Sequence, residues 1–367
     1  TINKRTNTHG AMRNCIEYVL RQDKTSEQLT YMTGPYCHDA INYDLVYQTF
    51  LEEKKLWRNL KKSLTENYGK PSTKKYQEGR LKTIAGHFQN KKTEDAIDAI
   101  TWNDLDLDRV FQSMDFTLSA AGEESLYTML RCPVFEEDTL KERETLIRYF
   151  MLHPDDRVTM QMLFAKIGRT GKYSIYDYIA YLDDVEQGSN RSHYLMLGLM
   201  AMAVILCFFN SGYGLLVLCV LLCINMVTYF KQKKEIDPYI TTFAYFIRIL
   251  KVTEEFSAHP IEILKPWMEQ IAAGRAKFKK FRRFSSVLMQ QNSMSGNPID
   301  VVMDYLRMGL HVNLIKFNTM LREAKKYKQD MIRIIETMGY IEAMISIGAY
   351  RSSLPDYTLP EFGQKGL

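Results

Sequence analysis

Tyr194-Leu-Met-Leu-Gly-Leu-Met-Ala-Met-Ala-Val-Ile-Leu-Cys-Phe-Phe-Asn-Ser-Gly-Tyr-Gly-Leu-Leu-Val-Leu-Cys-Val-Leu-Leu-Cys-Ile-Asn-Met-Val-Thr-Tyr-Phe230 is a run of 37 residues without a charged side chain. Its break is Asn210-Ser211-Gly212-Tyr213-Gly214. One straight helix of this length would be nearly twice as long as a hydrocarbon core of about 30 Å, so a single pass does not fit. Two passes joined by a tight turn do, over Tyr194 to Phe209 and Tyr213 to Phe230. At about 1.5 Å per residue they measure roughly 24 and 27 Å, which implies a thin or locally pinched bilayer. Arg191 precedes the hairpin, and Lys231, Lys233 and Lys234 follow it. The positive-inside rule therefore sets a two-pass membrane protein with both termini cytoplasmic. The competing reading, a buried hairpin in a soluble core, requires helices that avoid charge for unusually long.

Working outward, composition sets bounds rather than a function. The chain has 367 residues, 46% of them hydrophobic, and a formal net charge of +5. That is enough for two or three domains with real cores, and it permits nucleic acid or anionic lipid as a partner without demanding either. Cys207, Cys219 and Cys223 lie in the apolar run, and Cys15, Cys37 and Cys132 are scattered without CxxC pairing. This usage fits a reducing compartment with no disulfide framework or zinc site. The start at Thr1 and the end at Leu367, just after an apparent domain joint, read as a fragment of a longer chain.

Organisation follows from periodicity. Residues 1–57 read as a small α/β piece, and 58–103 as a linker and then one helix around Tyr76 to Phe88. Residues 104–190 form a first helical half. Leu126, Met129 and Leu130, then Leu140, Leu146, Ile147 and Phe150, then Val158, Met162 and Leu163 recur at helical spacing. Asp138 is the expected cap of the second of these helices, and His153-Pro154 separates it from the third. The hairpin occupies 191–234 and a second helical half 235–367. In that half a helix is expected over Pro238 to Ser257, another opening at Asn297-Pro298, and a last one over about Phe317 to Tyr350. The fold class is therefore mainly α, a helical bundle interrupted by a two-helix transmembrane hairpin.

Few residues advertise chemistry. A phosphate loop needs GxxxxGK[ST], and the nearest approach, Gly168-Arg-Thr-Gly-Lys-Tyr173, has the wrong spacing and reads as a surface turn. The seven histidines include no pair at helical ligand spacing, so no metal is expected. Arg275, Lys277, Lys279, Lys280, Arg282 and Arg283 alternate with Phe278, Phe281 and Phe284. On a helix this makes an aromatic stripe beside a basic face. Either the phenylalanines are core and the cations solvated, or the cations contact anionic lipid or a phosphate backbone.

Two resemblances add to this reading. Asp115-Phe-Thr117-Leu-Ser119-Ala-Ala-Gly122, with Leu126, Leu130 and Pro133 and then Leu140, Arg143 and Ile147, resembles the entry to the core domain of the MutS mismatch-recognition family, D-x-T-x-[TS]-x-x-G. Ser119 can cap a helix there, and Gly122 lets another helix approach. Gly339-Tyr-Ile-Glu342-Ala-Met-Ile-Ser346-Ile-Gly-Ala-Tyr-Arg351, then Leu354, Tyr357, Pro360, Glu361 and Phe362, is similar to that family's stretch from lever helices to ATPase domain, with glutamate at 342 in place of the usual aspartate. Together the two ends cover about residues 104–367. The resemblance implies a core and lever scaffold that dimerises, encircles DNA through non-specific backbone contacts and couples to ATP hydrolysis. By itself this chain would be no enzyme and hold no cofactor. ATP and Mg belong to a domain expected after Leu367. The Phe-x-Glu matches at Phe50 and Phe135 lack the glycine-aromatic context of the mismatch-reading signature.

Thr8-His-Gly-Ala-Met-Arg-Asn-Cys-Ile-Glu-Tyr18-Val-Leu20, with Thr33-Gly-Pro-Tyr36 and Ile41-Asn-Tyr43, resembles the start of plasmid relaxases, or mobilisation nucleases. The resemblance gives Tyr18 the role of the nucleophile on a DNA phosphodiester. The metal-binding histidine cluster that such a nucleophile needs does not follow it. The alternatives are thus a relaxase fragment nicking through Tyr18, and a membrane scaffold that does not bind DNA.

Overall fold

A computed structural model describes residues 43–72, 74, 76, 79–170, 173–185, 188–283 and 308–359. Among them every regular element is helical, as a mainly α chain requires. Residues 1–42 of the expected α/β piece, Tyr18 among them, the Asn297-Pro298 helix start, Phe284 and Pro360 lie outside the described residues.

The chain forms two units. One gathers residues 58–185, 242–279 and 327–367, and the other 1–57, 186–241 and 280–326. The first, the core unit, therefore takes helices from both sides of the hairpin.

Several boundaries differ from the sequence reading. Helix α1, Tyr43–Glu66, runs unbroken through Trp57, where a linker was expected to begin. The single helix expected around Tyr76 to Phe88 is two short ones, α2 (Arg80–Ile84) and α3 (Gly86–Lys91). Gly79 takes φ 81 before α2, a conformation that costs glycine little. Helix α4, Ala99–Asp104, is capped by Asp98, which accepts from the N–H groups of Ile100 and Thr101 at 2.7 and 2.9 Å. Helix α5 follows over Leu107–Met114.

The middle of the core unit is α6 (Ala120–Arg131), α7 (Glu137–Leu152) and α8 (Pro154–Ile167). Glu136 rather than Asp138 precedes α7, and Asp138 lies in its first turn, where its charge suits the helix dipole. Pro154 opens α8 as expected. Helix α9 spans Ile175–Asp184.

Helix α10, Asn190–Phe209, and the start of α11, Ser211–Ser257, form the hairpin. Both are long and apolar enough to cross a membrane, and only 17% of either span is buried within the chain. Phe208 and Phe209 at the tip are 87% and 84% exposed. Asn210 makes the turn. Its side chain accepts from Tyr213 N–H at 3.2 Å and its carbonyl from Gly214 N–H at 2.9 Å. A Cβ on Gly214 would collide with the Cys207 backbone, so the arms close only over glycine. The second arm does not end at the membrane segment. It continues through Pro238 into the segment expected as a separate helix, giving one helix of 47 residues.

Helix α12 spans Lys265–Ala276. The expected last helix is two, α13 (Val312–Lys326) and α14 (Lys328–Ser353), parted at Tyr327, whose ring packs edge-on to Phe278. Helix α14 is the axis of the core unit, in contact with α6, α7, α8 and α12. Met331, Ile334, Ile335, Met338, Ile341, Met344 and Ile345 are buried along it at the spacing that fills the faces of a surrounded helix.

Candidate functional site

The motif residues meet where α14 crosses the start of α6. Asp115 lies in the turn between α5 and α6 and is fully buried. Its Oδ1 accepts from Thr117 N–H at 2.8 Å and Thr117 Oγ1 at 2.5 Å. Its Oδ2 faces Lys74 Nζ at 2.7 Å and accepts from the Tyr76 hydroxyl. Burial pushes this carboxyl up, but Lys74, Thr117 and Tyr76 outweigh it and hold the pKa low. Burial also pulls the Lys74 ammonium down against the pull of Asp115.

Ser119 caps α6, accepting from Gly122 N–H at 3.1 Å. Glu342 of α14 completes the cap, accepting from Leu118 N–H at 2.5 Å, Ser119 N–H at 3.1 Å and the Ser119 hydroxyl. One turn further along α14, Ser346 Oγ accepts from Phe116 N–H at 2.7 Å and donates to Met114 O at 2.8 Å. Two glycines make the approach possible. A Cβ at Gly122 would strike the Glu342 carboxylate, and one at Gly339 would strike the Ala121 carbonyl. Desolvation raises the Glu342 pKa to about 7, even with Ser119 and the backbone donors pulling it down.

Beside this junction, Glu123 pairs with Arg80, and Arg169 lies 3.6 Å from Asp115 and 3.9 Å from Glu123. Glu124 accepts from Ile175 N–H at 2.9 Å and from Ser174, the cap of α9, and burial raises its pKa to about 8. Four carboxylates are thus buried within one helical crossing, held by cations, hydroxyls and helix-start amides. The arrangement clamps chain segments together.

Asp115, Thr117, Ser119, Gly122, Gly339 and Ser346 come together here. Pro133 lies in the α6–α7 connection, half-buried, and Arg143 sits on α7 near Tyr340 of α14. Sequence reading missed Lys74, Tyr76, Arg80, Arg169, Glu123 and Glu124. A buried Asp at a helix entry demands a cation, but the Lys-rich stretch before it offers too many to choose from. Arg169, read as part of a surface turn, reaches back to Thr117 O at 3.2 Å.

The basic segment is not one continuous helix. Helix α12 stops at Ala276, Lys277 and Phe278 turn, and helix resumes at Lys279. Phe278 and Phe281 are fully buried, whereas Lys277, Lys279, Lys280 and Arg283 are exposed, and Arg275 and Arg282 are half-buried. Lys277 pairs with Asp330 at 2.8 Å. Arg275, Lys277 and Lys279 belong to the core unit, and Lys280, Arg282 and Arg283 to the hairpin unit.

At the base of the hairpin the structure joins histidines that sequence spacing kept apart. His193 Nδ1 lies 2.9 Å from His311 Nδ1, and His311 Nε2 lies 2.8 Å from the Asn225 carbonyl. The Asn225 amide donates to Gly309 O at 2.7 Å and to Met200 Sδ at 3.1 Å. Asn190 binds α13 below, reaching Ile315 O at 3.3 Å and accepting from Asn318 at 2.9 Å.

Compared with protein-family models, curated proteins and solved structures, the chain gives no significant match. The MutS-like and relaxase-like resemblances therefore rest on the motif residues.

Proposed function

We propose that this chain is a membrane-tethered, MutS-like helical core that engages DNA through phosphate contacts and transmits movement along α14. The observation that carries the reading is the meeting of the two motif segments. The D-x-T-x-S-x-x-G entry and the Gly339-to-Ser346 stretch, more than 200 residues apart, share one set of hydrogen bonds through Glu342 and Ser346. Withdrawal of α14 would uncap α6, so a pull on its C-terminal end is felt at the entry to the core. A second copy of the chain and an ATP-hydrolysing domain are the partners that the resemblance implies. The exposed cations of residues 275–283 are the groups offered to the phosphate backbone.

The hairpin anchors this core by crossing a thin bilayer twice with both ends on the cytoplasmic side. Two features support that topology. Tyr194 and Phe230 flank its base while Phe208, Phe209 and Tyr213 surround its tip, all of them exposed, as rings are at membrane–water interfaces. In addition, segments 186–241 and 280–326 of the hairpin unit hold twelve Lys and Arg against six Asp and Glu, an excess suited to a cytoplasmic anionic surface.

The test has two arms. Fluorescence anisotropy of duplex DNA with the detergent-solubilised chain reads the binding, which should be sequence-tolerant and steeply salt-dependent. A Ser211→Cys tip in a chain freed of its own cysteines should react with an impermeant maleimide only from the side opposite the termini. DNA affinity insensitive to salt sinks the first claim, and tip labelling from the cytoplasmic side sinks the second.

A further inference from the structure

The geometry points to a site for a soft monovalent metal ion, of the copper(I) class, at His193 and His311. Both rings are buried, 3% and 2% exposed, and stand nearly perpendicular, with planes 88° apart and centroids 4.9 Å apart. The Asn225 carbonyl can only accept, so His311 Nε2 carries the hydrogen of that 2.8 Å bond. The neutral His311 ring then keeps its Nδ1 lone pair, aimed at His193 Nδ1, which donates to it. A backbone carbonyl that fixes the far ring nitrogen is the arrangement that orients a metal-binding imidazole.

The surroundings fit a ligand site better than a simple contact. His311 takes φ 52, a strained conformation for a residue with a Cβ. Asn225 is 1% exposed and its Oδ1 is buried without a hydrogen-bond partner, while its amide nitrogen holds the Met200 thioether. Two nitrogens about 2 Å from a common ion stand roughly 3.3 to 4 Å apart, so the pair must open by roughly 0.4 to 1 Å. On binding, the His193 proton moves from Nδ1 to Nε2. Both rings stay neutral and no net proton is released.

The class of ion follows from charge and softness. Residues 190–232 contain no Asp or Glu, so nothing on the hairpin neutralises a divalent ion, and the cost of burying charge rises with its square. Two neutral imidazoles with no carboxylate on the hairpin therefore suit a singly charged ion that accepts imidazole, which is copper(I). Loading would rivet the 308–311 turn to the hairpin and stabilise the unit by mass action.

Because thiols also bind copper(I), the test uses the full chain in detergent with all six cysteines changed to serine. It is titrated anaerobically with copper(I) against a competing chelator, and the loaded protein is examined by X-ray absorption. The expected result is one copper(I) per chain, the scattering signature of imidazole ligands, and at least a tenfold loss of affinity in both His193→Gln and His311→Gln. Met200→Leu should cost less than either. Unchanged affinity in the histidine variants, a sulfur-only spectrum, no binding, or tighter binding of zinc(II) would each overturn the proposal. The spectrum of the chain with both histidines intact decides the matter even where a variant misfolds.

Discussion

The Ser346 hydroxyl oxygen lies 2.7 Å from the backbone nitrogen of Phe116, 230 residues away in the chain. One turn earlier on the same helix, Glu342 caps the start of α6. The two side chains thus bind consecutive segments of the same turn, and the core unit is pinned there at two heights of a single helix.

Gly122→Ala should destabilise the chain by about 1–3 kcal/mol, the usual range for forcing a methyl group into a packed contact. The new Cβ would strike the Glu342 carboxylate, which cannot withdraw without losing its bonds to the Leu118 and Ser119 N–H groups. Glu342→Asp, one methylene shorter, should offset part of the loss. Urea unfolding of the two single variants and the double variant reads the coupling, and strict additivity would contradict the contact.

Asp115→Asn should cost about 3–5 kcal/mol, because it leaves the Lys74 ammonium, itself largely buried, without its carboxylate. Adding Lys74→Met removes the stranded charge and should recover part of that stability. A double variant no more stable than Asp115→Asn would show that the pair is not what holds this turn.

Stability should fall as the pH rises from about 5 to 9. Glu342 and Glu124 have folded pKa values near 7 and 8, above the ordinary 4.5, so between those values the folded chain binds protons that the unfolded chain has released. Their contribution is complete below pH 4.5 and is lost as pH passes through the folded values. Asp115, held low, acts in the opposite sense and is lost only in acid. Glu124→Gln should flatten the alkaline slope measured by denaturant titration at several pH values. A slope that survives in Glu124→Gln and Glu342→Gln together would refute the assignment.

Ile205→Arg and Leu216→Arg, on outward faces of the two arms, should each cost about 2.5–3.5 kcal/mol of insertion. The double variant should move from the carbonate-resistant membrane fraction to the soluble or aggregated one. Retention of both variants in the membrane would favour peripheral attachment.

Changing Lys279, Lys280 and Arg283 together to Gln should weaken DNA binding uniformly across sequences. It should also lower the slope of log affinity against log salt by up to about 2.7, at roughly 0.9 for each phosphate no longer neutralised. An unchanged slope would assign these exposed cations to solvent or to lipid.

Periodicity made much of the architecture legible. The charge-free run, its Asn210 to Gly214 break and the 3.6-residue spacing of Met331 to Ile345 are local signals, fixed by helix geometry wherever the helix packs. They determined a mainly α chain with an apolar hairpin, and the motif residues marked two segments worth watching. Boundaries were less legible. Whether α13 and α14 part at Tyr327, or α11 runs on through Pro238, depends on what packs against those turns. Pairing was not legible at all. That Asp115 takes Lys74 and Tyr76, that Gly122 makes room for Glu342, and that His193 meets His311 across 118 residues were decided only by the tertiary structure. A sequence states which residues can donate, accept or carry charge. Which of them become partners depends on where burial removes water and leaves each polar group one neighbour that can satisfy it.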